Sequence, residues 1–364
     1  MYLFRIYSKK GRIQMKKRTL SILCLALCVS LFTSCENSTS NENSVVQKPS
    51  ETAEITSEVD VTETTEVTEE TSENQEEEPA DDEEDYSTGD ASLDNIRNQD
   101  GIGEKELLVL SFGTSFNDSR RLTIGAIEQE LEDSFADFSV RRGFTSNIII
   151  DHVNRRDGFL IDDIEASLKR AVDNGVKTLV VQPTHLMNGI EYDEIVEKVA
   201  QYSDAFEKVV FGEPLLTSDE DFKRVELAIT DWTKEYDDGE TAICFMGHGT
   251  EAESNKVYTK LQDLLTADGF ENYFIGTVEA APTLDDVLSK VKSGSYKRVI
   301  LQPLMVVAGD HANNDMAGDE EDSWKTAFEK EGYTVECLLR GLGENEAIRK
   351  IYVDHAQAAI NTLS

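Results

Sequence analysis

The chain has 364 residues, 39% of them hydrophobic, with a formal net charge of −37 and a pI near 4.4. That apolar content suffices for a packed core of one or two domains. The acidity excludes a nucleic-acid surface, which needs clustered Lys and Arg to displace phosphate counterions.

The first signal along the chain is "MKKRTLSILCLALCVSLFTSC" from Met15, with a basic start, an apolar run from Leu20 to Phe32 and small residues before Cys35. The run is shorter than the roughly 20 residues that span a bilayer, so residues 1–35 read as a cleaved leader. "FTSC" resembles the bacterial lipobox, with Phe32 where that pattern usually has Leu, and implies lipid on Cys35. The expected location is therefore extracytoplasmic, with the protein held to a bacterial membrane through Cys35. Ordinary secretion with cleavage nearby is the alternative, and either Met1 or Met15 can be the start. Residues 36–104 are rich in Ser, Thr, Asn and Glu, with about twenty acids against Lys48 and Arg97. Such a stretch buries too little apolar area to offset its ordering entropy, so a disordered, self-repelling linker is expected.

From residue 105 strand and helix patterns alternate, the signature of a parallel α/β fold. "ELLVLSF" reads as a strand and "SRRLTIGAIEQELEDSF" as an amphipathic helix. "VKTLVVQP", "TAICFM", "NYFIGTV" and "KRVILQPLMVV" read as further strands, apolar almost throughout and so buried on both faces. Cys244, inside "AICFM", is expected to be a reduced core thiol. The pattern also repeats. Gly113-Thr114 answers Gly249-Thr250, Gln182-Pro183 answers Gln302-Pro303, and Gly189 answers Gly309, which sets Glu191 in the place of His311 and His185 in that of Met305. The expected fold is two similar doubly wound parallel-sheet halves, 105–235 and 236–364, facing a central cleft built from strand carboxyl ends.

Five histidines are present, and their settings differ. His248 follows "AICFMG" and His311 follows "LMVVAGD", both at predicted strand ends, while Glu279 closes the strand "FIGTVEA". Strand ends gather side chains distant in sequence, so two imidazoles and a carboxylate can converge on a borderline divalent ion such as Co²⁺, Ni²⁺, Fe²⁺ or Zn²⁺. A backbone-satisfied loop histidine is the plainer reading of each. His355 is assigned to helix packing, His152 has some reach toward the cleft, and His185 is a candidate ligand contact that packing also explains.

"SFGTSFNDSR", "GHGT", "TVEAAP", "QPLMVVAGDHANNDMAGD" and "DSWK" closely resemble the anaerobic sirohydrochlorin cobaltochelatase family, class II chelatases related in fold to ferrochelatase. The resemblance covers the chain from about Lys105 onward. It implies that His248, Glu279 and His311 bind the metal at the face of a tetrapyrrole. It also implies that Co²⁺, or else Ni²⁺ or Fe²⁺, is a substrate. Insertion removes two pyrrole protons, for which His248 is a suitable acceptor, with Glu279 balancing charge or taking the second proton and His311 holding the ion. No organic cofactor is expected, in keeping with the absence of a GxxxxGK[ST] loop. Ser111, Thr114 and Ser115 form a strand-to-helix turn suited to a substrate carboxylate, with Arg120 or Arg121 nearby, or else a simple helix cap. The leader departs from the family's pattern and favours a second class, a lipid-anchored tetrapyrrole or metal carrier linked to uptake. A structural surface lipoprotein ranks third. Homo-oligomerisation is left open.

Overall fold

The computed structural model describes residues 88–363; the leader, Cys35 and the linker up to residue 87 lie outside the described residues. The first half contains β1 (Lys105–Ser111), α1 (Asn117–Leu122), α2 (Ile124–Ser134), β2 (Ser139–Phe144), α3 (Asn147–Asp157), α4 (Ile164–Asp173), β3 (Thr178–Pro183), α5 (Ile190–Tyr202) and β4 (Lys208–Phe211). Next comes α6 (Asp219–Thr233). The second half contains β5 (Thr241–Gly247), α7 (Lys256–Ala267), β6 (Tyr273–Thr277), α8 (Leu284–Ser293), β7 (Arg298–Pro303), α9 (Trp324–Lys330) and β8 (Thr334–Cys337). The final helix is α10 (Glu346–Asn361). Among the described residues no helix is long and apolar enough to cross a membrane.

Each half is a four-stranded sheet, ordered β2-β1-β3-β4 and β6-β5-β7-β8, with every pairing parallel. The sequence repeat is carried into register: Leu110 pairs with Pro183 in one sheet, and Met246 pairs with Pro303 in the other. The central strands β1 and β5 are buried almost end to end, as sheets covered on both faces require. Alternate residues of each strand therefore enter different apolar layers. Leu107, Val109, Ile243 and Phe245 join one shared layer with Ile127, Val225, Leu261 and Ile351, so α2, α6, α7 and α10 lie between the sheets. Leu108 and Leu110 face α4 and α5 on the outer side, whereas Ala242, Cys244 and Met246 face α8 and α9. Cys244 is free and fully buried, and burial pushes its thiol pKa up. The terminal helix α10 returns to the first half, where the Tyr352 hydroxyl donates to the Thr184 carbonyl at 2.9 Å.

Three local features differ from the sequence reading. The helix expected over "SRRLTIGAIEQELEDSF" breaks at Thr123, whose hydroxyl turns back on the Ser119 carbonyl and whose backbone is approached closely by Gly343. Strand β7 stops at Pro303 instead of reaching Val307; the Leu304 N–H still donates to the Met246 carbonyl at 2.7 Å, and beyond it the chain leaves the sheet. The linker expected to be disordered as far as 104 is ordered from residue 88. Arg97 is buried there, its carbonyl accepts from the Arg142 N–H at 3.1 Å, and its guanidinium reaches Glu132 at 2.8 Å. Acids and bases in this stretch have partners on α2 and β2, and composition cannot display such pairings.

Strand β2 explains why the edge of the first sheet needs that cover. Arg141 and Arg142 are consecutive, so they point to opposite faces, and both are fully buried. Arg142 is bonded to Glu128 at 2.8 and 2.7 Å. Arg141 faces Glu106 at 3.5 Å, a distance too long for a good hydrogen bond, and neither Glu106 oxygen has a hydrogen-bond partner. Desolvation therefore pushes the Glu106 pKa up to about 7, against the pull of Arg141. A folded value above the unfolded one means the folded state binds more protons, so the group's contribution is fully present below about 4.5 and is lost as pH rises through about 7. Glu106→Gln is expected to raise stability by ~3 kcal/mol at pH 8.5 and to leave it nearly unchanged at pH 4.5, as read by urea denaturation at both pH values. An equal effect at both would show that Glu106 does not titrate in this way.

Candidate active site

The second sheet delivers His248 through a sharply constrained turn. A side chain at Gly247 would run into the Tyr258 ring at 2.2 Å. Gly249 has φ +88, and a Cβ there would lie 2.7 Å from the Thr277 hydroxyl oxygen. The Tyr258 hydroxyl accepts from the Gly249 N–H at 3.2 Å, fixing the turn from below. The next loop hangs on the same backbone, since the Glu279 N–H donates to the His248 carbonyl at 2.8 Å. His248 and Glu279 are both exposed.

His311 arrives differently. After β7 the chain passes Ala308, whose N–H donates to the Ser119 hydroxyl oxygen at 2.9 Å, and enters a wide turn over Ala312–Met316. Ala312 and Met316 are buried and anchor that turn, leaving His311 partly exposed at its start. The imidazoles of His248 and His311 meet edge to face with ring centroids 4.7 Å apart.

Their hydrogen bonds determine what each ring offers. His248 Nδ1 lies 2.7 Å from the Gly249 carbonyl oxygen, and His311 Nδ1 lies 2.7 Å from Asp315 Oδ2. Carbonyl and carboxylate oxygens only accept, so Nδ1 carries the proton in each neutral ring and Nε2 keeps its lone pair for a metal or a proton. The hydrogen bond that His311 donates to Asp315 holds the His311 pKa above its ordinary value against the opposing effect of burial, with the charges of Asp315, Asp310 and Glu279 adding to it. Among the described residues no group of three or more His, Cys, Asp or Glu side chains is arranged to hold a metal ion. The arrangement is a pair of outward-facing imidazole nitrogens with Glu279 on an adjoining loop.

The first half meets this pair at Thr114. Gly309, two residues before His311, is so close that a Cβ there would lie 3.0 Å from the Thr114 hydroxyl oxygen. In the turn expected to take a substrate carboxylate, two of the three hydroxyls are engaged within the protein. Ser111 is buried and accepts from the Thr184 hydroxyl at 2.7 Å, and Thr114 is buried and accepts from the Phe116 N–H at 3.2 Å. Ser115 is half-buried, with its carbonyl bonded to Arg156 at 2.5 Å. Arg120, expected beside a substrate carboxylate, is fully buried and bonded to Asp94 at 2.6 Å. Arg121 pairs with Asp118 at 3.1 Å.

His185 is 8% exposed, neither ring nitrogen has a hydrogen-bond partner, and its nearest acid is Glu191 at 3.4 Å. Desolvation pulls its pKa down to about 4, so it is neutral at physiological pH. His355 links the Glu213 carbonyl to Asp221, at 2.9 and 3.0 Å.

Sequence reasoning missed Asp315, hidden in an acidic run, and Tyr258, which looks like an ordinary core aromatic. It also missed the exposed apolar residues Phe112, Ile148 and Ile190, each close behind a strand end of the first sheet. The Asp315 signal was available, because a wide turn can place residues i and i+4 together on one side.

The fold is two parallel α/β halves, and both members of the histidine pair follow strands of the second half. A family model described as "Cobalt chelatase (CbiK)" matches residues 105–361, and the chain belongs to that family. It is 38% identical over 258 residues to the sirohydrochlorin cobaltochelatase of Salmonella typhimurium, covering 71% of this chain and 97% of that protein. It is 30% identical over 279 residues to sirohydrochlorin cobaltochelatase CbiKC of Nitratidesulfovibrio vulgaris, covering 75% of this chain and 97% of that one. Among solved structures, SirB from Bacillus subtilis with Fe³⁺ matches at TM-score 0.49 and 15% identity, over 72% of this chain and 98% of SirB.

A raised His311 pKa keeps the ring protonated, and unable to bind a cation, to a higher pH than an ordinary histidine. Asp315→Asn should therefore shift the midpoint of Co²⁺ binding to lower pH. At pH 8 it should weaken affinity about tenfold, because a less polarised imidazole is a poorer donor. Competition against a chromophoric chelator from pH 5.5 to 8 measures both effects. An unchanged midpoint would show that Asp315 does not govern the ring.

Proposed function

We propose that this chain inserts Co²⁺ into a sirohydrochlorin-type tetrapyrrole, with His248, Glu279 and His311 as the groups that handle metal and protons. The observation that carries this reading is the His248–His311 pair, with centroids 4.7 Å apart and both Nδ1 atoms engaged so that both Nε2 atoms are free. Family membership and relatives named for this reaction support it.

The chemistry follows from charge balance. A divalent ion enters as two pyrrole protons leave, so metal donors and a proton acceptor must stand together. His311, made more basic by Asp315, is the better donor to the ion. His248, exposed and bonded only to a neutral carbonyl, is free to accept a ring proton and release it to solvent. Glu279, exposed on the adjoining loop, offsets the arriving positive charge or takes the second proton. Holding ion and ring together makes the encounter intramolecular. Two imidazoles alone bind weakly enough to release the ion to four ring nitrogens. Co²⁺ is the preferred ion on this reading, with Ni²⁺ and Fe²⁺ as competitors, and the reaction needs no organic cofactor.

The leader and acidic linker favour a second reading for location and role. On it, the protein is anchored outside the cytoplasm through lipid on Cys35 and carries a tetrapyrrole or metal instead of completing insertion. Intact-mass measurement of membrane-extracted protein should show an acylated N-terminal Cys35, and an unmodified Cys35 would refute the anchor.

Mixing the purified protein with sirohydrochlorin and Co²⁺ and following the absorbance spectrum against a protein-free control separates catalysis from carriage. Insertion should be accelerated. His311→Ala should weaken Co²⁺ binding by about 10- to 100-fold while leaving the ring bound. His248→Ala should slow insertion by about 100-fold even at saturating metal, since the missing group is a proton acceptor. Parental rates in the double variant would refute the assignment and leave carriage as the better account.

A further inference from the structure

We infer that residues 88–97, which precede the stretch matched by the family model, form a strap that positions the metal-site loop, with Asp94 as the positioning residue. The inference rests on the proposed chelatase reading for its kinetic consequence and on geometry alone for its structural one.

The strap is fastened at both ends. Near its start, the Thr88 carbonyl accepts from the Asp118 N–H at 2.7 Å, and the Asn117 side-chain amide reaches the Thr88 hydroxyl at 3.3 Å and the Gly89 carbonyl at 3.4 Å. Gly89 has φ +91, a backbone conformation that side-chain-bearing residues adopt only under strain. Near its end, the Arg97 carbonyl accepts from the Arg142 N–H on edge strand β2.

Asp94 sits between these points, almost fully buried, and binds two buried arginines at once. Its Oδ2 takes Arg120 Nε at 2.6 Å and an Arg142 terminal nitrogen at 2.8 Å, while Oδ1 takes the other at 3.1 Å. Arg142 has a second carboxylate in Glu128, but among the described residues the only carboxylate bonded to Arg120 is Asp94. Removing the Asp94 charge leaves a buried guanidinium uncompensated, which the surroundings must relax to hydrate.

That relaxation is aimed at the active site. Arg120 donates to the Thr114 carbonyl at 3.2 Å and to the Asn117 side-chain oxygen at 2.5 Å, so it holds the turn after β1. Thr114 lies against Gly309, and Ser119, next to Arg120, accepts the Ala308 N–H at 2.9 Å. The chain of contacts runs Asp94, Arg120, Thr114 and Ser119, then Ala308 and Gly309, ending two residues short of His311.

The test uses the full chain and three variants. Asp94→Asn removes the charge at constant shape, and Asp94→Glu retains it. Arg97→Gln perturbs the same buried network through Glu128 and Glu132, away from α1. Hydrogen–deuterium exchange over 111–122 and 304–312 should rise about tenfold in Asp94→Asn, partly recover in Asp94→Glu, and stay parental in Arg97→Gln even where its melting temperature falls. In insertion assays Asp94→Asn should raise the KM for Co²⁺ about fivefold or more with the KM for tetrapyrrole within twofold of parental. Should Asp94→Asn fail to fold, the apolar pair Asp94→Leu with Arg120→Met removes the same link without a buried charge, and the same exchange increase is expected. If exchange over 304–312 is parental in the Asp94 variants, or rises equally in Arg97→Gln, the strap is a general stabiliser and the inference is wrong. If the parent inserts no metal while exchange still follows Asp94, the chelatase reading fails and the positioning link stands.

Discussion

Two parallel sheets of identical strand order share one apolar layer, and the rest of the structure depends on that sharing. A parallel sheet cannot leave either face in water, so each half needs helices on both sides. Here α2, α6, α7 and α10 serve both sheets at once, with Val109 and Phe245 contributing to the same layer from opposite sides. The return of α10 to the first half, sealed by Tyr352 on Thr184, makes separation of the halves expose a large continuous apolar surface. The strand ends are thereby held in fixed relation, and Thr114 can touch Gly309 across the division.

Fixed strand ends are also what a metal-transferring site needs. A resident metal is retained by a closed ligand set with a supporting second shell. On the proposed reading the set is two imidazoles, each oriented through Nδ1 by an oxygen acceptor, with Glu279 on the adjoining loop. The two acceptors differ in kind: a neutral backbone carbonyl for His248 and a carboxylate for His311. The two rings are thus supported differently, and on the proposed reading this separates the proton acceptor from the ion holder, with Glu279 balancing charge beside them.

Much of this was legible because it is local. Strand-end histidines, the glycines that force the turns and the repeated Gln-Pro pairs all follow from short runs of sequence, and the half-to-half register followed from the repeat. What stayed hidden is long-range and electrostatic. Asp94 read as one more acid in a repelling linker, and Arg120 as a free cation beside the substrate turn; each is buried because of the other. Ser111 and Thr114 were read as part of a turn open to a substrate carboxylate, and in the folded chain both are buried with their hydroxyls bonded to Thr184 and to the Phe116 N–H. Periodicity reports which face a residue occupies, not whether a polar partner is already waiting there.

The same point bears on how one cleft can attract a cation and a polyanionic ring together. Asp310, Asp315 and Glu279 make the second-half rim acidic, which favours arrival of a divalent ion and disfavours ring carboxylates. The first half offers Phe112, Ile148 and Ile190, exposed apolar groups in the segments that follow its strands, with Arg156 near Ser115. On the proposed reading the two substrates are sorted by half: the ring is received by apolar contact on the first, and the ion by charge on the second. Repeat symmetry set the two rims face to face. Its local breaking, with His185 where the second half has Met305 and Glu191 where it has His311, gave the rims different chemistry.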